Sequence, residues 1–253
     1  MNFAKMSGLV LELGTVFVLL TRLPMPHLSD EAFARSARAV WGYGIVGAVV
    51  GALGALCSVL AMSLGLPPAV AAGFVLAVMI LSTGAMHEDG LADTADGFWG
   101  GHSPERRLTI MKDSQIGSYG TLALIVVTGL RWSALAGLVV TAPAAIIAAA
   151  ALSRAAMPLV MHGLPPARHS GLSQSVGQPA LPVTLAALAA GLVIAFFAVG
   201  TVAITSLLLC LAISGGCILL AKKKIEGQTG DVLGASQQLC ETAVLCLFAA
   251  VLA

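Results

Sequence analysis

Half of the twelve acidic residues of this chain lie in one stretch, residues 87–120. On a helix, Asp89, Asp93 and Asp96 fall at positions i, i+4 and i+7 and share one face. Three carboxylates on adjacent turns repel one another unless a cation lies between them, and oxygen ligands suit a hard ion such as Mg²⁺. Glu88 points about 100° away from Asp89 and could reach a second ion or support the first. The spacing therefore predicts a Mg²⁺ or Mn²⁺ site held by the three aspartates, with Glu88 at a second ion or in a supporting position.

The same stretch places basic side chains beside the carboxylates. A helix is predicted over residues 86–99, continuing from the preceding apolar segment, and a second helix is predicted to start at Pro104 with Ser103 as its cap. The basic residues and the carboxylate that follow are Arg106, Arg107, Lys112 and Asp113. Mg²⁺ that bridges phosphate oxygens, with Arg and Lys neutralising the remaining charge, is typical of a diphosphate site. Diphosphate chemistry is the function that this stretch predicts.

A second polar stretch, residues 226–241, leads into the last apolar segment. Its polar and small residues recur every three or four positions, as an inward helical face requires: Asp231, Gly234, Gln238 and Glu241. A polar face inside a bilayer is costly and favours a functional role, with helix packing as the alternative. The polar loop 162–182, which contains Arg168, is predicted to contact the substrate.

An oily chain must position these stretches. Hydrophobic residues make up 58% of it and charged residues 10%, whereas a soluble domain carries about 25% charged residues. Because a membrane span needs about 20 apolar residues, the chain offers seven or eight candidate segments, at 7–20, 41–64, 69–86, 121–140, 144–160, 183–199, 201–220 and 242–252. The sequence therefore predicts an all-α, polytopic integral membrane helix bundle that forms one catalytic domain over residues 1–253.

Charge is distributed unequally between the predicted loops. The loops 65–68, 141–143 and the turn near residue 200 are short and uncharged. The loops on the opposite side carry ten of the thirteen basic residues: Arg22, Arg35, Arg38, Arg106, Arg107, Lys112, Arg168, Lys222, Lys223 and Lys224. By the positive-inside rule this side is cytoplasmic, so the active site is predicted to face the cytosol. Arg131 is predicted to be an anchor at the membrane interface, and Arg154 to face the cytoplasmic mouth.

Several other chemistries find no pattern in the sequence. The histidines have no HxxxH or HExxH spacing, and no GxSxG motif is present, so zinc and a serine nucleophile are not expected. The five cysteines lie in apolar runs without CxxC spacing and are predicted to be unpaired, buried residues. A net charge of +1 gives no indication of a nucleic-acid partner, and none is expected.

Together these motifs resemble the cobalamin synthase family, the adenosylcobinamide-GDP ribazoletransferases. The resemblance covers nearly the whole chain in the expected order, through FVLLTRLPMP, WGYGIVGAVVGAL, HEDGLADTADGFWGG, KDSQIGSYG and GQTGDVLGASQQLCE. It implies a multi-pass enzyme of the bacterial inner membrane that uses Mg²⁺. Such an enzyme transfers the adenosylcobinamide phosphate group from adenosylcobinamide-GDP to α-ribazole or its 5′-phosphate. GMP is released, and adenosylcobalamin or its 5′-phosphate forms.

The resemblance suggests roles for the candidate residues. The ligands that hold one or two Mg²⁺ on the diphosphate would be Asp89, Asp93 and Asp96, together with Glu88. The residues that steady the leaving GMP would be Arg106, Arg107 and Lys112. Lys112 and Asp113 are the predicted catalytic residues, with Asp113 as the base for the ribose hydroxyl or as an additional metal ligand. Asp231 and Gln228 would line the opposite wall, and a homo-oligomer is compatible with these features.

Two alternatives from other classes remain at this point. A Mg²⁺-dependent membrane prenyltransferase also uses aspartate clusters on a diphosphate, but it usually has two such clusters, and here the second stretch has only Asp231 and Glu241. A divalent-ion or corrinoid transporter would carry polar residues near the midplane of several spans, where few are predicted here.

Overall fold

The computed structural model describes residues 8–168 and 170–253, with the backbone alone for residues 30 and 31. Helices make up the described fold, and a single isolated β-bridge joins Pro166 to Gln228. The helices are α1 (Gly8–Leu20), α2 (Asp30–Phe33), α3 (Ser36–Ala39), α4 (Tyr43–Ser63), α5 (Pro68–Thr83), α6 (Met86–Gly100), α7 (Pro104–Ile110), α8 (Ser118–Thr141), α9 (Ala144–Gly163), α10 (Leu172–Val176), α11 (Leu181–Val199), α12 (Val202–Ile225) and α13 (Gly230–Leu252). A 3-10 turn, Val40–Gly42, leads from α3 into α4.

The prediction of an all-α polytopic membrane bundle is confirmed. Within the described ranges, six helices are long and apolar enough to cross a membrane: α4, α8, α9, α11, α12 and α13. The helices α5 and α6 form a seventh candidate only as a bent pair. The helix α1 is apolar but has 13 residues, fewer than the roughly 20 that a straight span needs.

The helix α9 lies at the centre of the bundle, and 83% of its most apolar 18-residue stretch is buried. It packs on α4, α11, α12 and α13, and its many alanines allow these helices to approach closely. At Gly51 of α4, an added Cβ would lie 2.7 Å from the Cα of Ile147, so the helices touch backbone to backbone. Gly47 and Gly51, which have GxxxG spacing, are thus positions of close helix packing.

The acidic helix α6 does not continue the preceding span, and that part of the prediction is wrong. Gly84 and Ala85 both adopt left-handed backbone conformations, with φ of 67° and 58°, and the chain bends by 87° between α5 and α6. A left-handed alanine is sterically unfavourable and gives no signal in the sequence. The predicted bounds of α6 and the cap of α7 by Ser103, whose hydroxyl accepts a hydrogen bond from the Arg106 amide, are confirmed.

The last span is longer than predicted. The helix α13 begins at Gly230 rather than near residue 242, and it includes most of the second polar stretch. Gly234, Gln238 and Glu241 are buried, which confirms their predicted inward face. The cysteines are all free thiols in the described chain. The prediction that they are buried holds for Cys210 and Cys240, whereas Cys57, Cys217 and Cys246 are only partly buried.

Four polar segments of the chain meet at one end of the bundle. They are residues 21–40, 87–118, 162–182 and 222–238. The backbone of Gln228 exchanges hydrogen bonds with Pro165 and Ala167 on either side of the β-bridge. Arg107 of α7 donates to the carbonyl of Lys224 at the end of α12. In addition, α10 packs against α3. This end therefore holds the candidate site.

Candidate active site

Close packing between α6 and α13 brings the two polar stretches together. An added Cβ at Gly90 would lie 2.8 Å from the carbonyl oxygen of Asp231, and one at Gly234 would lie 3.1 Å from the Cα of His87. A side chain at position 90 would force the two helix backbones apart, and one at position 234 would be tightly packed. The contact places Asp231 beside the aspartates of α6.

The aspartates Asp89, Asp93 and Asp231 form one acidic cluster. Burial, and then the negative charges of Asp231 and Asp89, raise the pKa of Asp93 from 3.8 to about 7. Arg168 opposes this shift, and it donates to Asp231 at 3.0 Å while also bonding the Leu108 carbonyl. One guanidinium thus faces three carboxylates, and the cluster keeps an excess of negative charge.

Asp96 lies on the predicted face of α6, but the protein backbone occupies its carboxylate. One oxygen accepts a hydrogen bond from the Gly117 amide at 2.7 Å and the other accepts one from the Gly120 amide at 2.9 Å. These bonds attach the start of α8 to α6. The structure therefore shows Asp96 as an anchor of the 112–120 loop, while its role as a metal ligand stays a prediction.

Glu88 lines the same cleft as Asp89 and Asp93, and one of its carboxylate oxygens joins a buried charge network while the other has no partner within the described residues. It accepts hydrogen bonds from Arg131 at 2.9 Å and from Gln238 at 3.0 Å. Glu241 accepts from Arg131 as well as from Arg154, at 3.1 Å in the latter case, and Gln237 donates to it at 2.6 Å. We call these six residues the buried network. Metal ligation by Glu88 remains a prediction, and its side chain is committed to Arg131 here.

The buried network overturns three expectations. Arg131 is 1% exposed, so it is not an anchor at the membrane interface, and Arg154 is 2% exposed, so it does not face the mouth. The interior of the bundle is also more polar than predicted. These two arginines were exceptions to the loop-charge pattern, and both are explained by carboxylates that lie far away in the sequence.

The three predicted basic residues of this stretch lie in three different environments. Lys112 and Asp113 are exposed and face Asp89 and Asp93 across a cleft of about 520 Å³, which we call the acidic cleft. Arg107 instead donates to the Gly101 and Lys224 carbonyls, which places it in a structural role. Arg106 is exposed and lies outside the lining of the cleft.

A second cavity, which we call the inner cavity, lies against an adjacent face of α6 and has a volume of about 200 Å³. The start of α6, the end of α9, α10 and the start of α13 enclose it. Its lining includes the predicted substrate-binding residues Arg168, Gln228 and Asp231. Asp89 lines both the inner cavity and the acidic cleft, so the two spaces adjoin at this carboxylate.

One residue that lines the inner cavity, His87, is not among the predicted site residues. His87 was considered only as a zinc ligand, yet it lines this cavity two residues before Asp89. Its position at the first turn of the acidic helix was the available signal. The walls contributed by α4 and α9 gave no signal, because Tyr43 and Met161 look like ordinary core residues in the sequence.

Apolar spanning helices with a charged site and two adjoining cavities at one end define a polytopic membrane enzyme. The sequence profile of the cobalamin-5-phosphate synthase family matches residues 12–249. The chain belongs to the cobalamin-5-phosphate synthase family.

Three relatives carry the name adenosylcobinamide-GDP ribazoletransferase. The Bradyrhizobium diazoefficiens protein is 42% identical over 96% of this chain and 95% of its own length. A Sinorhizobium protein is 45% identical over 89% and 91%, and the Rhizobium etli protein is 41% identical over 98% and 100%. No solved structure matches the chain. These relatives support the predicted transferase and give no support to a prenyltransferase or a transporter.

Proposed function

We propose that the protein is an adenosylcobinamide-GDP ribazoletransferase. It joins the adenosylcobinamide phosphate of adenosylcobinamide-GDP to the ribose of α-ribazole or its 5′-phosphate. The observation that carries this proposal, beside the family, is the acidic cluster between two cavities that adjoin at Asp89. A two-substrate transfer requires such a meeting point for a donor and an acceptor.

We propose Mg²⁺ as the cofactor at Asp89 and Asp93, with Asp231 alongside. Among the described residues, no group of three or more His, Cys, Asp or Glu side chains is arranged to hold a metal ion. The donor set nevertheless fits, because Mg²⁺ is commonly held by one or two carboxylates together with substrate phosphates and water. Burial and then the neighbouring negative charges raise the pKa of Asp93, and the same negative charges favour a bound cation. When bound there, Mg²⁺ would neutralise charge on the diphosphate.

The protein residues would position the two substrates for in-line displacement at phosphorus. A ribose hydroxyl oxygen of the acceptor bonds to the phosphorus that carries adenosylcobinamide, and the bond from that phosphorus to the bridging diphosphate oxygen breaks. Lys112 at the cleft would balance charge on the departing GMP, and Asp113 would accept the hydroxyl proton. Positioning and charge neutralisation supply most of the catalysis in such a transfer.

The polar end of the bundle would face the cytoplasm of a bacterial inner membrane. Ten of the thirteen basic residues belong to segments at this end. Of the other three, Arg131 and Arg154 belong to the buried network, and Lys5 lies outside the described residues. Labelling of single introduced cysteines at residues 66 and 115, in a variant without native cysteines, tests this orientation. A membrane-impermeant reagent should label only position 66 from the periplasmic side.

The activity is tested with purified protein in lipid nanodiscs, supplied with adenosylcobinamide-GDP, α-ribazole and Mg²⁺. We expect GMP and the joined corrinoid in equal amounts, and neither product after EDTA treatment. Asp89→Asn should lower turnover at least about 100-fold, since it removes a charge where the transition state needs it. Glu105→Gln, which alters an exposed carboxylate of α7, is the matched control and should retain activity. Full activity of Asp89→Asn would refute the assigned site.

A further inference from the structure

The inner cavity has one apolar side and one polar side. Tyr43 and the α9 methionines Met157 and Met161, which lie one helical turn apart, form the apolar side and are buried. Methionine side chains adapt their shape and make favourable contacts with aromatic rings. Such a wall suits a flat aromatic group better than a charged one.

The polar side offers buried groups that have no partner within the described protein. His87 is 1% exposed, and neither of its ring nitrogens makes a hydrogen bond there. The Gln228 side chain is fully buried, and its amide nitrogen is likewise unpartnered, although its oxygen accepts from Ser173 at 2.7 Å. Buried polar atoms are normally paired, so unpaired atoms that line a cavity indicate a polar ligand.

The size of the inner cavity distinguishes between the two substrates. Its volume is about 200 Å³. That space accommodates a two-ring aromatic base with part of a sugar, whereas a corrin ring is far too large. The wider acidic cleft, at about 520 Å³, opens on an adjacent face of α6 and is the space available for the donor diphosphate.

We propose that the inner cavity is the binding site for the acceptor nucleoside, with its aromatic base against Tyr43, Met157 and Met161 and its polar groups at His87 and Gln228. This inference rests on the proposed function and assigns each substrate to its own face of α6. A nucleoside bound in this way directs its ribose toward Asp89, where the inner cavity adjoins the acidic cleft. His87 thereby becomes a positioning residue for the acceptor.

The binding test uses α-ribazole alone, in Mg²⁺-free buffer without donor, titrated into the full-length protein in nanodiscs and followed by fluorescence of its base. His87→Leu should weaken binding roughly tenfold, the effect of losing about one buried hydrogen bond. The variant should still fold, because His87 has no hydrogen bond within the described protein to lose. Lys112→Ala, in the acidic cleft, should bind α-ribazole like the wild type.

A second variant tests the apolar wall independently of His87. Met157→Ala enlarges the inner cavity, so it should raise the KM for α-ribazole and allow turnover of a nucleoside with a bulkier, three-ring base. The KM for adenosylcobinamide-GDP should stay within about twofold of the wild type. This change of acceptor preference cannot result from a general loss of folding. It therefore tests whether the inner cavity binds the acceptor even if His87→Leu proves unstable.

The outcomes separate this inference from the proposed function. If the wild type makes no GMP with both substrates present, the proposed function fails. If the wild type is active but His87→Leu and Met157→Ala leave acceptor binding, KM and acceptor preference unchanged, the assignment of the inner cavity fails alone. Loss of α-ribazole binding in Lys112→Ala, with His87→Leu unaffected, would place the acceptor in the acidic cleft and also overturn it.

Discussion

The protein holds two groups of charged residues that touch the same helix, and they differ in how their charge is balanced. In the buried network, Glu88 and Glu241 face Arg131 and Arg154, so two negative charges meet two positive ones. In the acidic cluster, Asp89, Asp93 and Asp231 lie near Arg168, which forms the one ion pair of the cluster among the described residues, with Asp231.

This difference assigns the two groups to different tasks. A charge network balanced within the protein fixes helices relative to one another, and breaking one partner leaves an uncompensated charge inside the bundle. A cluster with unbalanced charge at the end of a bundle is costly unless a ligand completes it, which is typical of a functional site. Glu88 and Asp89 are neighbours in sequence, yet Glu88 belongs to the buried network and Asp89 belongs to the acidic cluster.

Glu241→Gln should give the largest loss of stability, because it removes charge from the centre of the buried network. Gln keeps the shape, but Arg154 then lacks a carboxylate within bonding distance and Arg131 keeps only Glu88. We expect the free energy of unfolding to fall by about 3–5 kcal/mol. Unfolding in mixed micelles measures it, with Glu105→Gln as the exposed control. Equal stability of the two variants would mean that the network is not structural.

Asp96→Asn should have a smaller effect, because it alters one link between α6 and α8. An amide can accept from one of the two glycine amides, but its own NH₂ group then faces the other. We expect a loss of about 1–2 kcal/mol in unfolding free energy and a smaller loss of turnover than in Asp89→Asn. A loss of turnover equal to that of Asp89→Asn, with stability unchanged, would instead support Asp96 as a metal ligand.

Local features of the two charged groups could be predicted from the sequence, whereas their long-range contacts could not. The face of α6, the Ser103 cap and the inward face of α13 follow from spacing within a few residues. The pairing of Arg131 with Glu241 joins residues 110 positions apart, and hydropathy treats each as an isolated charge that belongs at an interface. Hydropathy likewise assigns the polar residues that begin α13 to a loop, although they form the first three turns of this helix.

The bend before α6 was missed for a different reason. It depends on a left-handed alanine at residue 85, which tertiary packing maintains against its local preference. Beside it, Arg22 donates its amide to the Ser82 carbonyl at 2.7 Å, and its side chain covers Gly84. No spacing pattern predicts a conformation of this kind, yet the bend turns the acidic helix across the end of the bundle.

Asp93→Asn should change how stability depends on pH. A carboxyl with a pKa near 7 in the folded protein and 3.8 in its ordinary state binds more protons when folded, so its contribution to stability falls as pH rises from about 4 to 7. Without Mg²⁺, the variant should therefore melt at a higher temperature than the wild type at pH 8, and the difference should shrink at pH 5. Melting curves at the two pH values measure it. Added Mg²⁺ should stabilise the wild type more than the variant.

Lys112→Ala and Arg106→Ala should differ in their KM for adenosylcobinamide-GDP, although both residues were predicted to steady the leaving GMP. Only Lys112 lines the acidic cleft, whereas Arg106 is exposed on α7. We expect Lys112→Ala to raise the KM for adenosylcobinamide-GDP roughly tenfold, as the loss of a charge-assisted contact would. For Arg106→Ala we expect a change of less than about twofold, as for an exposed charge in high dielectric. Equal effects would mean that the donor reaches beyond the acidic cleft along α7, and that its diphosphate is bound by the helix as well as by the cluster.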